Sequence, residues 1–423
     1  MTSDKHLKAR IRARMARTGE RYAEARRHIV GTSREQTDHG YALRGGVHPE
    51  AANIANVLHH HGREISEAMV LGVGGGLGAG YILWEFAAYD TAVLTLGFRH
   101  RWNYLDWTDA TLTRLGVPFR VARTGGVKKA QAALAAALDA GHPAIVVPDR
   151  QIVGYWHLPA HLDGHGGHQV VAYAYTDDGV RLDDRNLGPL TVDRARLDRA
   201  RARVGSYQNC LWEIEGPGDA DLAAAVVAGI GDCLAGLGGS SASFALPAWR
   251  KWAKLAADPK AAKGWTKVFA DGTGLVGALL SIWEGVEPVG ATGGHLRDLY
   301  AAFLDQAAAL LRAPDLTACG DRFRDAAAAW HAVAETALPA DVPEYRQVRE
   351  LTADLAAAVA LGDEGDGERS AAAEALWAGR AELDRRPPVQ PDFPALAAAI
   401  AAAYETEAMA VDALRKAARA LAV

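Results

Sequence analysis

Two positions in the first half of the chain have the residue types and spacing of a proton-transfer pair. His168 opens the run HQVVAYAY, and the run GVRLDD ends in Asp183 and Asp184. Between the two runs stands DDG (177–179), a turn sequence, so they read as the strands of a hairpin. Across an antiparallel hairpin, a residue early in one strand lies beside one late in the next. His168 and one of the two aspartates can therefore meet, with the carboxylate orienting the imidazole as a general base. Such a base often serves a nucleophile at a helix N-terminus, where the dipole and free N–H groups lower a thiol pKa and bind an oxyanion. The segment GGVHPEAANIANVLHHHG (45–62) reads as a helix of this kind, ending at Gly62. Its start carries His48, Pro49 and Glu50 and no thiol. Proline suits the first helical turn and keeps its backbone shape. Glu50 is either an acid/base group or a first-turn carboxylate favoured by the helix dipole.

Other residues could bind a ligand. The stretch RHRWNYLDWTDATLTRLG (99–116) concentrates Arg99, His100, Arg101, Trp102, Tyr104 and Trp107. It is either a wall for a polar substrate or core aromatics beside solvated arginines. Asp149, Arg150 and Tyr155 follow the strand PAIVVPD, and residues past a strand end commonly line pockets. Arg297 stands on a helix after a glycine pair, where it packs regions together or binds an anion. His157, His161, His165 and His168 fall within one short segment, and His59, His60 and His61 form a second cluster. That is a metal reading, but HExxH, CxxC and an accompanying carboxylate pattern are lacking, so no metal is assigned. LGVGGGLGAGY (71–81) lacks the βαβ setting of a dinucleotide loop.

The elements that must position these residues fall into three regions. Residues 1–35 hold ten Lys+Arg against four Asp+Glu, a net of +6 that leaves −11 on the remainder of a chain carrying −5. They read as a basic helical arm. No aromatic or base-reading pattern accompanies the charge, so a nucleic-acid partner is not expected. Residues 36–217 mix a helix with successive hairpin strands, PAIVVPD, HQVVAYAY, GVRLDD and NCLWEIE, which predicts an α+β domain with an antiparallel sheet. Residues 218–423 are Ala- and Leu-rich amphipathic stretches, predicting an all-α domain whose helices are separated by LGDEGDGERS (361–370) and PPVQPDFP (387–394). With 49% hydrophobic and 23% charged residues, the chain is globular rather than disordered. It shows neither a bilayer-length apolar run nor the apolar core of a signal peptide, so a cytoplasmic protein without a membrane partner is expected. Cys210, Cys233 and Cys319 are widely spaced and fit neither a disulfide framework nor a zinc site.

Several of these segments together resemble a known family. HPEAANIANVLHHHGREISEAMVLGVGGGLG, PAIVVPDRQIVGYW and GHQVVAYAYTDDGVRLDDRNLG are similar to the N-terminal domain of butirosin biosynthesis protein H and its relatives. GATGGHLRDLYAAFLDQAA (290–308) resembles the helical domain often fused behind it. The resemblance implies a papain-like fold and acyl transfer in specialised metabolism, the namesake moving an aminoacyl group from an acyl carrier protein onto an aminoglycoside amine. It favours Asp184 over Asp183 as the partner of His168, and makes the glycine-rich stretch a loop bordering the pocket. It implies an acyl carrier protein and an amine acceptor as partners and no cofactor, and allows a homo-oligomer. Relatives carry His-Cys where this chain has His48-Pro49. Three readings follow: His168 acting as a general base without a covalent intermediate, a catalytically inactive binding protein, or a metal site among the histidines.

Overall fold

The computed structural model describes residues 39–85 and 92–421. The basic arm predicted over 1–35 lies outside the described residues. Within them the protein is α+β: an antiparallel sheet with its helices occupies the first half, and the second half is helical.

Helix α1 (Pro49–His60) forms where the sequence placed it. Pro49 fits the first turn, Glu50 complements the dipole, and Ile54, Val57 and Leu58 turn one apolar face inward. The chain leaves the helix at Gly62, whose φ of +83° is the left-handed conformation that glycine adopts freely. Helix α2 (Glu67–Val73) follows, its start capped by the Ser66 hydroxyl accepting from the Met69 N–H at 3.0 Å.

The stretch 71–81 is not a loop bordering a pocket. Its first residues end α2, and Leu77–Tyr81 begin strand β1 (Leu77–Glu85), which pairs antiparallel with β2 (Ala92–Arg99). The glycines make room for rings: a Cβ on Gly72 would collide with Phe303, on Gly74 with Trp107, and on Gly80 or Gly97 with Trp102. Here glycine serves close packing between distant segments.

The remaining strands form one antiparallel sheet: β3 (Phe119–Ala122), β4 (Ala144–Val146), β5 (Val170–Tyr175), β6 (Val180–Asp183), β7 (Leu190–Val192) and β8 (Leu211–Ile214), in the order β3-β8-β4-β5-β6-β7. Central strand β5 is buried almost throughout, because α1 and a helix before β4 (Val127–Asp139) both pack on it. Its ladder with β6 pairs Val171 with Asp183 and Tyr175 with Val180. This register places His168, two residues before β5, at the same sheet end as Asp184, directly after β6.

The helical half packs on the first half rather than beside it. Helices at Leu222–Leu237 and Pro247–Ala257 cover β1, and one at Leu275–Val286 covers β2. Buried Trp249, Trp252, Trp265 and Trp330 form the aromatic centre of that contact. The glycine pair before Leu296 leads into the helix Arg297–Leu311. Arg297 is fully buried, ion-paired with Glu407 of the last helix (Phe393–Leu421), and donates to the carbonyls of Gly78 (3.0 Å) and Phe98 (3.3 Å). Glu407 also accepts from the Trp330 indole at 2.9 Å. Deleting one member of so buried a pair leaves an uncompensated charge and costs about 3–5 kcal/mol. The expected loop 361–370 is shorter than drawn: a single turn at Gly362–Gly365 runs straight into the helix Asp366–Arg385. Among the described residues no helix is long and apolar enough to cross a membrane.

Candidate active site

His168 is buried at the sheet end, in a chain segment that continues the β4–β5 pairing. Its N–H donates to the Pro148 carbonyl at 2.9 Å, and the Arg150 N–H to the Gly166 carbonyl at 3.1 Å. Its ring Nε2 lies 2.8 Å from Asp184 Oδ1. An ionised carboxylate only accepts hydrogen bonds, so Nε2 carries a proton toward Asp184 and Nδ1 is the ring nitrogen left to accept or release one.

Asp184 is held as an anion by several donors at once. Tyr155 Oη (2.8 Å) and Trp156 Nε1 (3.0 Å) donate to Oδ2, while the Arg185 guanidinium joins His168 on Oδ1. Burial alone would push its carboxyl up. The charges of His168 and Arg185 and the hydrogen bonds from His168 and Tyr155 outweigh burial and hold it well below the usual carboxylate range. The neighbouring Asp183 behaves oppositely. Burial raises it to about 6 against the hydrogen bonds from Tyr41 and Asn56, which tie it to the body of the fold. The hairpin places the more acidic of the two aspartates on His168.

Facing His168 is the start of α1, and a cavity of about 320 Å³ lies between them. His48, Pro49 and Glu50 line it from one side, His168 and Gln169 from another, and Arg99, Arg101 and Trp102 after β2 from a third. Ala291, Thr292 and Leu296 of the helical half complete the wall. The two N–H groups before the helix, of Val47 and His48, both donate to the Glu67 carboxylate. His48 caps the first turn through Nδ1, which accepts from the Ala51 N–H at 3.3 Å, and its Nε2 lies 3.0 Å from Glu50 Oε2. Burial lowers the His48 pKa to about 4, so the ring is neutral near pH 7. Burial opposes the charge of Glu50, but His48 and the Arg99 guanidinium 4.0 Å away outweigh it and keep the carboxyl below its ordinary value.

The cavity gathers some of the residues singled out in the sequence and not others. His168, His48, Pro49, Glu50, Arg150 and Trp102 all line it. Tyr155 does not, because its hydroxyl is turned onto Asp184. Asp149 is fully buried and faces away from any ligand: Oδ1 accepts from the Ile152 N–H at 2.8 Å and Oδ2 from the Gly164 N–H at 2.9 Å. It therefore shapes the loop that carries His168. Arg297 sits in its internal ion pair, behind the wall. Tyr104 is the first residue of the helix Tyr104–Arg114, and its side chain is outside the described structure. Trp156, Arg185, Glu67 and Gln169 went unnoticed in the sequence. Arg185 and Trp156 adjoin residues already singled out, and that adjacency was the available signal.

His157, His161 and His165 are exposed, apart from buried His168. Among the described residues one group has metal-ligand spacing: His295, Asp298 and His331. Its hydrogen bonds do not favour an ion. His295 Nδ1 accepts from the Arg297 N–H at 3.0 Å, so Nε2 carries the proton and points it at His331 Nε2, 3.2 Å away. His331 Nδ1 in turn meets Glu287 Oε1 at 2.8 Å, completing a satisfied donor chain.

Residues 48–185 match the family model described as Butirosin biosynthesis protein H, N-terminal. The matched stretch carries α1, strands β1 to β6, His168 and Asp184. Residues 195–364 match the Domain of unknown function (DUF4872), in the domain order expected from the sequence. No curated protein matches the chain. The butirosin-H-type domain thus contributes α1, His168 and Asp184, and the matched second domain contributes the wall at Ala291–Leu296.

Proposed function

We propose that the protein is an acyltransferase or acyl hydrolase of natural-product biosynthesis that works without a covalent intermediate. The observation that carries this reading is the His168–Asp184 pair: a buried, multiply hydrogen-bonded carboxylate fixes Nε2–H and leaves Nδ1 as a base beside a cavity. An acceptor amine or water attacks the carbonyl of an activated acyl donor such as a carrier-bound thioester. His168 Nδ1 takes the proton of the attacking N–H or O–H and returns it to the departing thiolate as the C–S bond breaks, while Asp184 stabilises the transient imidazolium. Thioesters are activated enough that orientation and a positioned base support the transfer. The reading keeps the chemistry that the family resemblance implies, with an acyl carrier protein as donor and an amine as acceptor, in a papain-like pocket where Pro49 stands in place of the nucleophilic cysteine.

A second reading, a binding protein without turnover, is favoured by the start of α1. Pro49 has neither thiol nor N–H, and the Ala51 N–H is taken by His48, so the helix offers few donors to an oxyanion. One experiment separates the two. Acyl transfer and hydrolysis are assayed with a panel of acyl thioesters and amines for the wild type and His168→Ala. Loss of turnover with retained ligand binding supports the enzyme, and unchanged turnover ends that reading.

A further inference from the structure

A second cavity, also of about 320 Å³, adjoins the first and is not used by the proton transfer described above. The two meet at Leu96, Arg150, Ala291 and Thr292, which line both. The second cavity lies between β2 and the helical half. Its wall is largely apolar, with Leu94, Trp156, Leu355, Leu376 and Trp377 among its residues. Its polar members are mostly engaged: Glu284 is paired with Arg380 at 2.6 Å, and Ser281 and Thr352 donate to helix carbonyls at 2.8 Å.

Arg150, at the junction, is the exception. Its guanidinium stacks over the Trp156 ring at 4.7 Å, and no carboxylate among the described residues is within ion-pair distance. Its Nε is buried without a hydrogen-bond partner. Burial pulls its pKa down, an unfavourable position for a cation that an anionic or carbonyl oxygen would relieve.

We propose that the second cavity holds the apolar chain of an acyl group, with Arg150 at its mouth binding the carboxyl or carbonyl oxygen and the carbonyl carbon presented toward His168. This rests on the acyl-transfer reading and narrows it to aliphatic acyl donors. The arrangement supplies from Arg150 the oxygen-binding donors that the start of α1 lacks. Substrate choice then lies in the contact between the two halves of the chain, since Leu355, Leu376 and Trp377 come from the helical half.

The test uses the full chain and free carboxylates, so it does not depend on turnover. Butanoate, hexanoate, octanoate and decanoate are titrated by calorimetry. Affinity is expected to rise about threefold to fourfold per added methylene, the value of one buried CH₂. Gly285 lies on the helix wall of the cavity, and a Cβ there would make only ordinary contacts, with Leu96 at 3.7 Å. Gly285→Leu should therefore fill the cavity without strain and flatten the chain-length dependence. Arg150→Met should weaken every length at least tenfold while keeping the slope. A wild type indifferent to chain length, or a Gly285→Leu slope equal to wild type, overturns the proposal. His168→Ala separates the two claims, because it should abolish turnover and leave the chain-length slope intact.

Discussion

The two sides of the first cavity have been treated differently by the sequence. On the sheet side, Asp184 meets His168, Tyr155, Trp156 and Arg185, and each of these interactions favours its ionised form. On the helix side, His48 and Glu67 consume the N–H groups around the first turn, and Pro49 removes one more. On the proposed function one side moves a proton, and the other offers no thiol for the covalent step that such a proton movement ordinarily serves. The comparison teaches that the base and the helix start of such a site are separable. Each has its own supporting contacts, and losing the chemistry of one does not dismantle the geometry of the other.

The largest test of this contrast falls on the sheet side. If His168 is the base, His168→Ala lowers kcat by about 10²–10⁴, the usual contribution of a positioned proton acceptor. Asp184→Asn changes the same quantity in the same direction, because an amide no longer fixes the Nε2–H form. Steady-state kinetics on the best thioester found reads both.

The next effect is on the helix side and depends on pH. Folded His48 has a pKa of about 4 against an ordinary 6.5. Below pH 6.5 the unfolded chain therefore takes up a proton that the folded chain refuses, and stability falls as pH drops from 6.5 toward 4, by about 3 kcal/mol from this group. Asp183 works in the opposite sense. Raised to about 6, it favours the folded state at low pH, and that contribution is lost as pH rises from its unfolded value of 3.8 through 6. The informative quantity is thus the difference between wild type and His48→Gln in urea unfolding at pH 7 and pH 4.5. A variant with the same acid loss as wild type would remove His48 from the account.

Glu67→Ala should cost about 1–3 kcal/mol of stability at neutral pH, because two N–H groups at the start of α1 lose their acceptor. Denaturant midpoints measure it, and a change within error would mean that water replaces the carboxylate. The smallest effect sharpens the comparison most. Pro49→Cys puts a thiol at the start of α1, opposite His168. Its alkylation by iodoacetamide at pH 7 should be at least tenfold faster than in Pro49→Cys/His168→Ala. Equal rates would show that the two sides do not face each other closely enough to form a thiolate–imidazolium pair.

How much of this was legible in the sequence depended on the range of the interactions. Helix α1, its stop at Gly62, and the hairpin bringing His168 to Asp184 follow from neighbours a few residues apart, and all could be read. Hairpin β1–β2 could not, because its glycines look like loop residues. Their cause is Trp102 seated on Gly80 and Gly97, together with Phe303 against Gly72 some 230 positions later in the chain, contacts that local pattern does not carry. The roles of Asp149 and Arg150 were hidden for a related reason. Both follow the same strand end, but the loop geometry turns Asp149 onto backbone N–H groups and leaves Arg150 at the cavity wall. The butirosin-H-type pattern itself was visible because its segments recur in order, and the family models match residues 48–185 and 195–364 accordingly.

The packing of the helical half on β1 and β2 has a consequence for how the protein is made. Chains emerge from the ribosome N-terminus first, and domains generally fold as they appear. When α1, His168 and Asp184 have been synthesised, the face of β2 that will carry Leu96 and Phe98 has no cover, since the helix Leu275–Val286 is still to come. The helix Phe393–Leu421, whose Glu407 neutralises Arg297 beneath that face, is made later still. The first cavity is therefore closed by residues made well after His168 and Asp184, and a nascent chain can hold that pair long before the pocket beside it has its last wall.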